Sequence, residues 1–439
     1  MWRFIIRFTI IWCVLIILFF AKFKFGGEKE TDNRKFDATN IAEYQPFFIR
    51  NNPDTTFAEI KKAVEKFLKT EHLKGGASVC ISYNGRLVYA QGIGNANSHS
   101  EIQPFNTFRI ASASKLVTAI GVMKMVEDNE IDLNQTVFGE NGILNVERYS
   151  YYKDRRIETV CVRQLLNHSG GWTSRWGDPM FMPHVIANEQ NISLPIDIAD
   201  IIRFMLGKKL HFQPGTGSAY SNFGFGILGE IITEKSGIPY ERYIKSNILY
   251  PLGIFDMHIG FSHPEKRLAY EVSYYEEDTS LIVEDYAVNG KFVRRPYGGS
   301  DIHTLGSAGG WVASSIDLIK IMMAIDGFKN VPDILKEQTL DTMIATDDNR
   351  FDPIGWRGID GEFWFRTGTL AATSAIMERR PDNICYVVLL NASNSKGPTL
   401  ATKLRKIMDD AILKVKDWPQ YDLLESDTSW TDFKKRMSE

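Results

Sequence analysis

The chain has 439 residues, of which 44% are hydrophobic and 24% charged, so it can bury a large core and is neither disordered nor low in complexity. Lys and Arg number 51 against 54 Asp and Glu, a net charge of -3 that argues against a nucleic-acid partner, because phosphate binding needs a basic excess. The four cysteines (Cys13, Cys80, Cys161 and Cys385) lack CxxC spacing and predict neither a thiolate metal cluster nor a disulfide scaffold.

The N-terminus has the order of an export signal. Arg3 and Arg7 precede an apolar run over residues 8–21, and no small-residue cleavage site follows that run. We therefore expect residues 1–25 to be an uncleaved membrane anchor, with the membrane as its partner, rather than a cleaved signal. Residues 26–55 are polar and mixed in charge, as in a tether. The positive-inside rule then predicts an extracytoplasmic domain, in a bacterial periplasm by default.

A folded domain is predicted over residues 56–415. Thr55 or Thr56 is expected to cap its first helix, which has apolar residues at helical spacing. Two pairs of apolar runs then predict β-hairpins. The first pair, residues 77–83 and 86–90, flanks Asn84-Gly85, and the second, residues 373–378 and 384–390, flanks Pro381-Asp382-Asn383.

Helical patterns fill the space between the two hairpins. They follow Ser112, Asn222 and Ser315, and a last one runs over about residues 398–415. This order predicts an α/β fold of the α+β type, with one sheet built from both ends of the chain and an inserted helical region over about residues 117–300. Residues 416–439 are predicted to be a C-terminal tail. A cleft between the sheet and the helical region is the expected place for a site.

Ser112-Ala113-Ser114-Lys115 is an S-x-x-K pattern at the start of a predicted helix. A three-residue step places Ser112 and Lys115 on one helix face, and a lysine whose pKa is lowered by burial can activate a serine hydroxyl. The helix N-terminus also favours developing negative charge. Two further matches, starting at Ser150 and at Ser393, lie in a charged surface stretch and in a loop, so position favours Ser112.

Tyr220-Ser221-Asn222 is a Y-x-N pattern that follows a glycine turn and precedes a helix. The phenol could carry protons if a nearby cation lowers its pKa, and the amide of Asn222 could bind a substrate amide. The alternative is structural: Ser221 or Asn222 caps the helix, and Tyr220 packs in the core.

Arg366-Thr367-Gly368-Thr369 is a basic, hydroxyl, glycine pattern on a predicted strand. Arg366 can bind a carboxylate, and Gly368 lets backbone approach a ligand, where an N–H group can complete an oxyanion hole. Lys235-Ser236-Gly237 is a closer literal match, but it closes the helix that begins near Asn222, so its glycine is interpreted as a C-cap.

The three patterns occur in one order, each at a structural junction, and in this respect the chain resembles the superfamily of serine β-lactamases and penicillin-binding proteins, specifically the class C-like β-lactamase-related hydrolases. The resemblance covers about residues 56–415. It extends to Leu165-Leu166-Asn167-His168-Ser169-Gly170-Gly171, to residues 306–312 and to residues 85–92. His168 is interpreted as a buried structural histidine rather than a general base.

The resemblance implies a β-lactamase/transpeptidase-like fold, with an antiparallel sheet flanked by helices and an α-helical region opposite. It implies that Ser112 is the acylated nucleophile and that Lys115 and Tyr220 handle its proton. The backbone N–H groups of Ser112 and Thr369 would form the oxyanion hole. Asn222 would then contact a substrate amide, and Arg366, where relatives have Lys or His, a substrate anion. No metal or organic cofactor is implied.

These expectations define a membrane-anchored, extracytoplasmic serine hydrolase that acts through an acyl-enzyme. Its expected substrate is a small molecule or peptide: an ester, an amide or a D-amino-acid peptide ahead of a β-lactam. The alternative is a catalytically silent domain of the same fold that binds or senses cell-wall fragments. The sequence leaves the oligomeric state open.

Overall fold

The computed structural model describes residues 47–52, 54–278, 280–345 and 351–438. The predicted anchor over residues 1–25, and most of the predicted tether, lie outside these ranges. Within them, no helix has both the length and the apolar character that a membrane crossing requires.

Strands and helices alternate along the chain. The strands are β1 Gly76–Tyr83, β2 Arg86–Gly94, β3 Thr107–Arg109, β4 His258–Ile259, β5 Tyr275–Glu276, β6 Ile282–Asp285, β7 Val288–Arg294, β8 Trp311–Ser314, β9 Gly358–Asp360, β10 Phe363–Leu370, β11 Thr373–Arg380, β12 Ile384–Leu390 and β13 Ala392–Ser393. The helices are α1 Ala58–Thr70, α2 Ser114–Glu127, α3 Val162–Leu166, α4 Pro183–Gln190, α5 Ile198–Leu206, α6 Asn222–Ser236, α7 Tyr240–Ile244, α8 Ile302–Gly309, α9 Ser315–Met323, α10 Glu337–Ile344, α11 Pro398–Ile412 and α12 Thr428–Ser438.

The main sheet is antiparallel, with strand order β2-β1-β12-β11-β10-β9. β1 joins the N-terminal hairpin to the C-terminal one, since Ala77 pairs with Ile93 on one side and with Leu390 on the other. Asn84 and Gly85 both have positive φ, +51° and +70°, as a tight hairpin turn requires. The predicted fold, one antiparallel sheet built from both chain ends, is confirmed.

Two layers of helix cover the sheet. α1 and α11 pack together on one face, where Ile60 and Phe67 meet Leu404 and Tyr386 in a buried cluster. α9 packs against β1, β11 and β12 on the other face. The first helix begins slightly later than predicted, because Thr55–Phe57 is a 3-10 turn and its N-cap is Asp54, whose carboxylate accepts from the Thr56 N–H at 2.8 Å.

The region over residues 117–300 is mainly helical, and α2 runs through its centre against α6, α7 and α8. It also contains the hairpin β6–β7 and the strand β4, which pairs with β8 in a small sheet ordered β3-β8-β4. This small sheet matters for the site because its strand β3 leads directly into the turn at the start of α2.

The segment after residue 415, predicted to be a tail, packs on the domain as part of its core. α12 buries Trp430 and Phe433, one helical turn apart. Asp427 forms a buried ion pair with Lys320 of α9, with Oδ2 and Nζ 2.6 Å apart. Charged residues surround the two aromatics in sequence, so the apolar pattern is too short to predict a core helix.

Candidate active site

Ser112 lies in the 3-10 turn Ala111–Ala113 that links β3 to α2. Ala111 is in the left-handed region with φ +50°, a conformation that costs a non-glycine residue on the order of 1 kcal/mol and indicates a constrained turn. β10 lies directly against it: a Cβ on Gly368 would be 2.2 Å from the Ile110 carbonyl oxygen and 2.9 Å from the Ser112 nitrogen. Only glycine therefore permits this approach of sheet to nucleophile.

Lys115 lies one turn along α2, and its side chain is fully buried. Its Nζ donates to the Asn222 Oδ1 and the Ala308 carbonyl, both at 2.6 Å, and to the Ser112 Oγ at 3.4 Å. Burial lowers the pKa of Lys115, and the nearby Arg366 guanidinium lowers it further, although Tyr220 opposes the shift. The amine is thus suited to accept a proton.

Tyr220 reaches the same serine from the other side. Its hydroxyl donates to the Ser112 Oγ at 2.8 Å and accepts from the Arg366 Nη2 at 3.1 Å. Burial by itself raises the pKa of Tyr220, but the cations Lys115 and Arg366, with the hydrogen bond to Ser112, outweigh it and lower the pKa to about 7. A phenolate is therefore available near neutral pH, and in that state Ser112 donates the shared hydrogen bond.

Arg366 does not face the cleft, contrary to the prediction that it meets a substrate anion. It is 1% exposed, and its Nε donates to the Ser112 carbonyl at 2.8 Å. The cause is the alternation of side chains along β10: Arg366 and Gly368 face inward, whereas Thr367 and Thr369 line the cleft. In this geometry Arg366 acts on Tyr220 and on the nucleophile turn.

Asn222 begins α6 and lines the cleft, but both polar atoms of its amide are engaged. Its Oδ1 accepts from Lys115, and its Nδ2 donates to the Asp178 Oδ2 at 2.6 Å. The amide nitrogen carries a second N–H, so the predicted contact with a substrate amide does not require the loss of the hydrogen bond to Asp178. Sequence patterns do not reveal Asp178, because it lies 44 residues before Asn222 in an unmarked loop.

The cleft in front of Ser112 has a volume of about 390 Å³. Its apolar wall consists of Phe181, Leu305, Leu370 and Pro398. Arg357, which sequence reasoning missed, supplies a cation: its side chain is 48% exposed, and its guanidinium lies 5.6 Å from the centre of the Tyr220 ring. Its Nη1 also lies 3.2 Å from the Asp352 carboxylate. No motif marks this arginine.

His168 is buried behind the site, with its ring centre 4.5 Å from that of Tyr220. Its Nδ1 accepts from the Ser221 N–H at 3.2 Å. Burial, followed by the charges of Lys115 and Arg366, lowers the pKa of His168 well below its usual value, so the ring is neutral. It supports Tyr220 by packing, in line with its interpretation as a structural histidine.

The competing sequence matches lie elsewhere. Ser150 donates to the Glu147 carbonyl in an exposed turn, and the Ser393 hydroxyl accepts from the Ala372 N–H inside the fold. Gly237 has φ +70° and caps the end of α6, as its sequence position indicates. The structure thus brings Ser112, Lys115 and Tyr220 together, with Asn222 on Lys115 and Arg366 on Tyr220.

Comparisons with known proteins identify the family of this chain. A family model described as Beta-lactamase matches residues 60–407. Protein flp of Staphylococcus aureus (strain N315) is 26% identical over 220 residues, which are 50% of this chain and 41% of that protein. The putative penicillin-binding protein PbpX of Bacillus subtilis (strain 168) is 27% identical over 269 residues, or 60% of this chain and 58% of PbpX. The chain thus aligns with less than two thirds of either relative.

Solved structures share the fold. The D-amino acid amidase from Ochrobactrum anthropi SV3 complexed with D-phenylalanine matches with a TM-score of 0.65 and 20% sequence identity, covering 83% of this chain and all of the amidase (100%). At that identity, the likeness is one of fold.

Proposed function

The chain belongs to the Beta-lactamase family, and we propose that it is a serine hydrolase that forms an acyl-enzyme at Ser112. One observation carries the proposal: the Ser112 Oγ lies within 2.8 Å of the Tyr220 hydroxyl and 3.4 Å of the Lys115 Nζ. Beside this poor nucleophile lie two groups of lowered pKa: Tyr220, which can accept the proton as a phenolate, and Lys115, whose positive charge stabilises that phenolate.

In the proposed acylation, the Ser112 Oγ attacks the substrate carbonyl while its proton passes to the Tyr220 phenolate. The carbonyl oxygen becomes an oxyanion, which the N–H groups of Ser112 and Thr369 would bind where β10 meets the nucleophile turn. The intermediate collapses to the ester of Ser112, and Tyr220 returns the proton to the leaving amine or alcohol. Water then attacks the ester carbonyl and gives its proton to the Tyr220 phenolate; the bond to the Ser112 Oγ breaks, the acid leaves, and Tyr220 returns the proton to Ser112.

Small esters, amides and D-amino-acid peptides are the proposed substrates. A cleft of about 390 Å³ fits a small molecule or the end of a peptide. Its apolar wall favours a hydrocarbon group, and the half-exposed Arg357 favours a substrate carboxylate. Arg357 takes over the anion-binding role predicted for Arg366, since only Arg357 faces the cleft.

The alternative is a catalytically silent domain that binds or senses cell-wall fragments. A domain that only binds has no need of a buried lysine and a phenol of lowered pKa on one serine, so the geometry favours turnover. Attachment to a membrane and an extracytoplasmic location belong to the same proposal, and they rest on the sequence of residues 1–25 alone.

The test is the intact mass of the full-length protein after exposure to an uncharged serine-directed acylating probe. We expect one adduct on the wild type and none on Ser112→Ala. Ser150→Ala serves as the matched control, since it removes the serine of a competing motif. Labelling of Ser112→Ala would contradict the assignment, and a wild type without adduct would favour the silent domain.

A further inference from the structure

The amide of Asn222 is held at both ends by charged groups. Its oxygen accepts from the Lys115 Nζ and its nitrogen donates to the Asp178 Oδ2, each at 2.6 Å. A charged lysine can donate hydrogen bonds but cannot accept them, and a carboxylate can accept hydrogen bonds but cannot donate them. Turning the amide round would replace two hydrogen bonds by two repulsive contacts. Asp178 therefore determines which end of the amide faces Lys115.

Asp178 is itself fixed in place. It is the N-cap of the 3-10 turn Pro179–Phe181, and its Oδ1 accepts from the Met180 N–H at 3.0 Å. Pro179 and Met180 are buried, whereas Phe181 reaches the cleft wall. Each carboxylate oxygen thus has its own task, one in the turn and one at Asn222. An asparagine has a single acceptor oxygen and could perform only one of them.

The lysine depends on this arrangement because it is fully buried, and its contacts set where Nζ lies. Ala308 and Asn222 hold it at 2.6 Å, while Ser112 is more distant at 3.4 Å. Without the Asn222 oxygen, one N–H of a buried amine loses its partner, and the position of Nζ relative to the nucleophile becomes less defined. Small displacements of a group that acts on the nucleophile cost rate steeply.

We propose that Asp178 is a positioning residue, which holds the Asn222 amide and through it places the Lys115 amine for nucleophile activation. The inference rests on the proposed acyl-enzyme chemistry. It also has a consequence for substrates. One N–H of the Asn222 amide is committed to Asp178, so only the other N–H can contact the carbonyl of an acylamino substrate.

The test compares two substitutions at Asp178 with a matched control. Asp178→Ser keeps a good N-cap for the turn, but its hydroxyl is too short to reach Asn222. Asp178→Asn removes the charge and one acceptor. Asp197→Ser makes the same change at the N-cap of α5, where the carboxylate accepts from the Asp200 N–H. We expect acylation by the uncharged probe to slow about tenfold in both Asp178 variants and to stay unchanged in the control.

The pH dependence separates positioning from mere loosening of the turn. Asp178 raises the pKa of Lys115 against the larger effect of burial, so removal of its charge lowers that pKa. The limb of the rate profile that reports Lys115 then moves to lower pH in Asp178→Asn. A loosened turn would slow the reaction equally at every pH.

A measurement that needs no substrate tests the role of Asp178 independently of the acyl-enzyme proposal. The pKa of Lys115 can be followed in lysine-labelled protein by NMR, with the signal assigned through its loss in Lys115→Met. A wild type without adduct contradicts the acyl-enzyme proposal, and the NMR titration still decides the role of Asp178. A lower Lys115 pKa in Asp178→Asn supports it. An unchanged pKa, or wild-type acylation rates in both Asp178 variants, overturns it.

Discussion

The guanidinium of Arg366 lies behind the phenol of Tyr220, with Nη2 donating to the hydroxyl at 3.1 Å. The cation therefore acts on the base of the proposed reaction rather than on the substrate. Because Arg366 is buried, water screens its charge little. Its effect should be visible in the pH profile.

Arg366→Gln removes that cation, and we expect the pKa of Tyr220 to rise from about 7. Acylation requires the phenolate, so the acidic limb of the rate profile moves to higher pH. Arg366→Lys keeps the positive charge, so the acidic limb should stay close to its wild-type pH. The measurement is the second-order rate of Ser112 acylation by an uncharged probe as a function of pH. A limb that stays in place in Arg366→Gln would contradict the argument.

Tyr220→Phe deletes the proton acceptor and leaves the ring in place against His168. General acid–base groups contribute about 100- to 10,000-fold, and we expect a loss of acylation rate in that range. Tyr149→Phe is the matched control, because its hydroxyl donates to Glu230 outside the cleft. If Tyr220→Phe retained the rate of this control, Lys115 would be the sole base.

Arg357→Gln tests the substrate carboxylate. The measurement is kcat/KM for two aromatic esters, one that carries a carboxylate and one in which a neutral carboxamide replaces that carboxylate. A hydrogen bond to a charged group implies that the carboxylate preference falls about 10- to 100-fold in the variant. Arg357→Lys should be intermediate, since it keeps the charge and loses the planar fork. An equal loss with both substrates would assign Arg357 a general role in the fold of the cleft.

Asp427→Ala tests the C-terminal segment. The change leaves the Lys320 amine buried, with the Gly253 carbonyl as its remaining partner, and we expect a loss of about 3 kcal/mol in the free energy of unfolding. Glu337→Ala breaks the exposed pair with Lys329 and should cost at most about 0.5 kcal/mol. Urea titration measures both. Equal losses would show that the buried ion pair adds no more to the stability of the domain than the exposed one.

The sequence predicts the parts of the site that lie at structural junctions. Ser112 and Tyr220 each sit where a turn meets a helix, and such junctions can be read from caps, glycines and apolar spacing. The direction of the Arg366 side chain could not be predicted from the sequence. Side chains alternate along a strand, but the alternation does not tell which face of the strand lines the cleft. Asp178 and Arg357 carry no motif and reach the site only through tertiary folding.

The C-terminal segment has a practical consequence for anyone who shortens the chain to the part that matches the family. The Leu423 N–H donates to the Leu87 carbonyl at 2.9 Å, and the Tyr421 hydroxyl donates to the Val88 carbonyl at 3.0 Å. Both carbonyls belong to β2, the edge strand of the main sheet. A chain cut at residue 415 would uncover this stretch of the edge strand, while residues 51–52 would still bond to Ala90 and Gly92 further along it. The uncovered stretch could pair with another molecule, and we expect the shortened chain to aggregate more readily than the full chain.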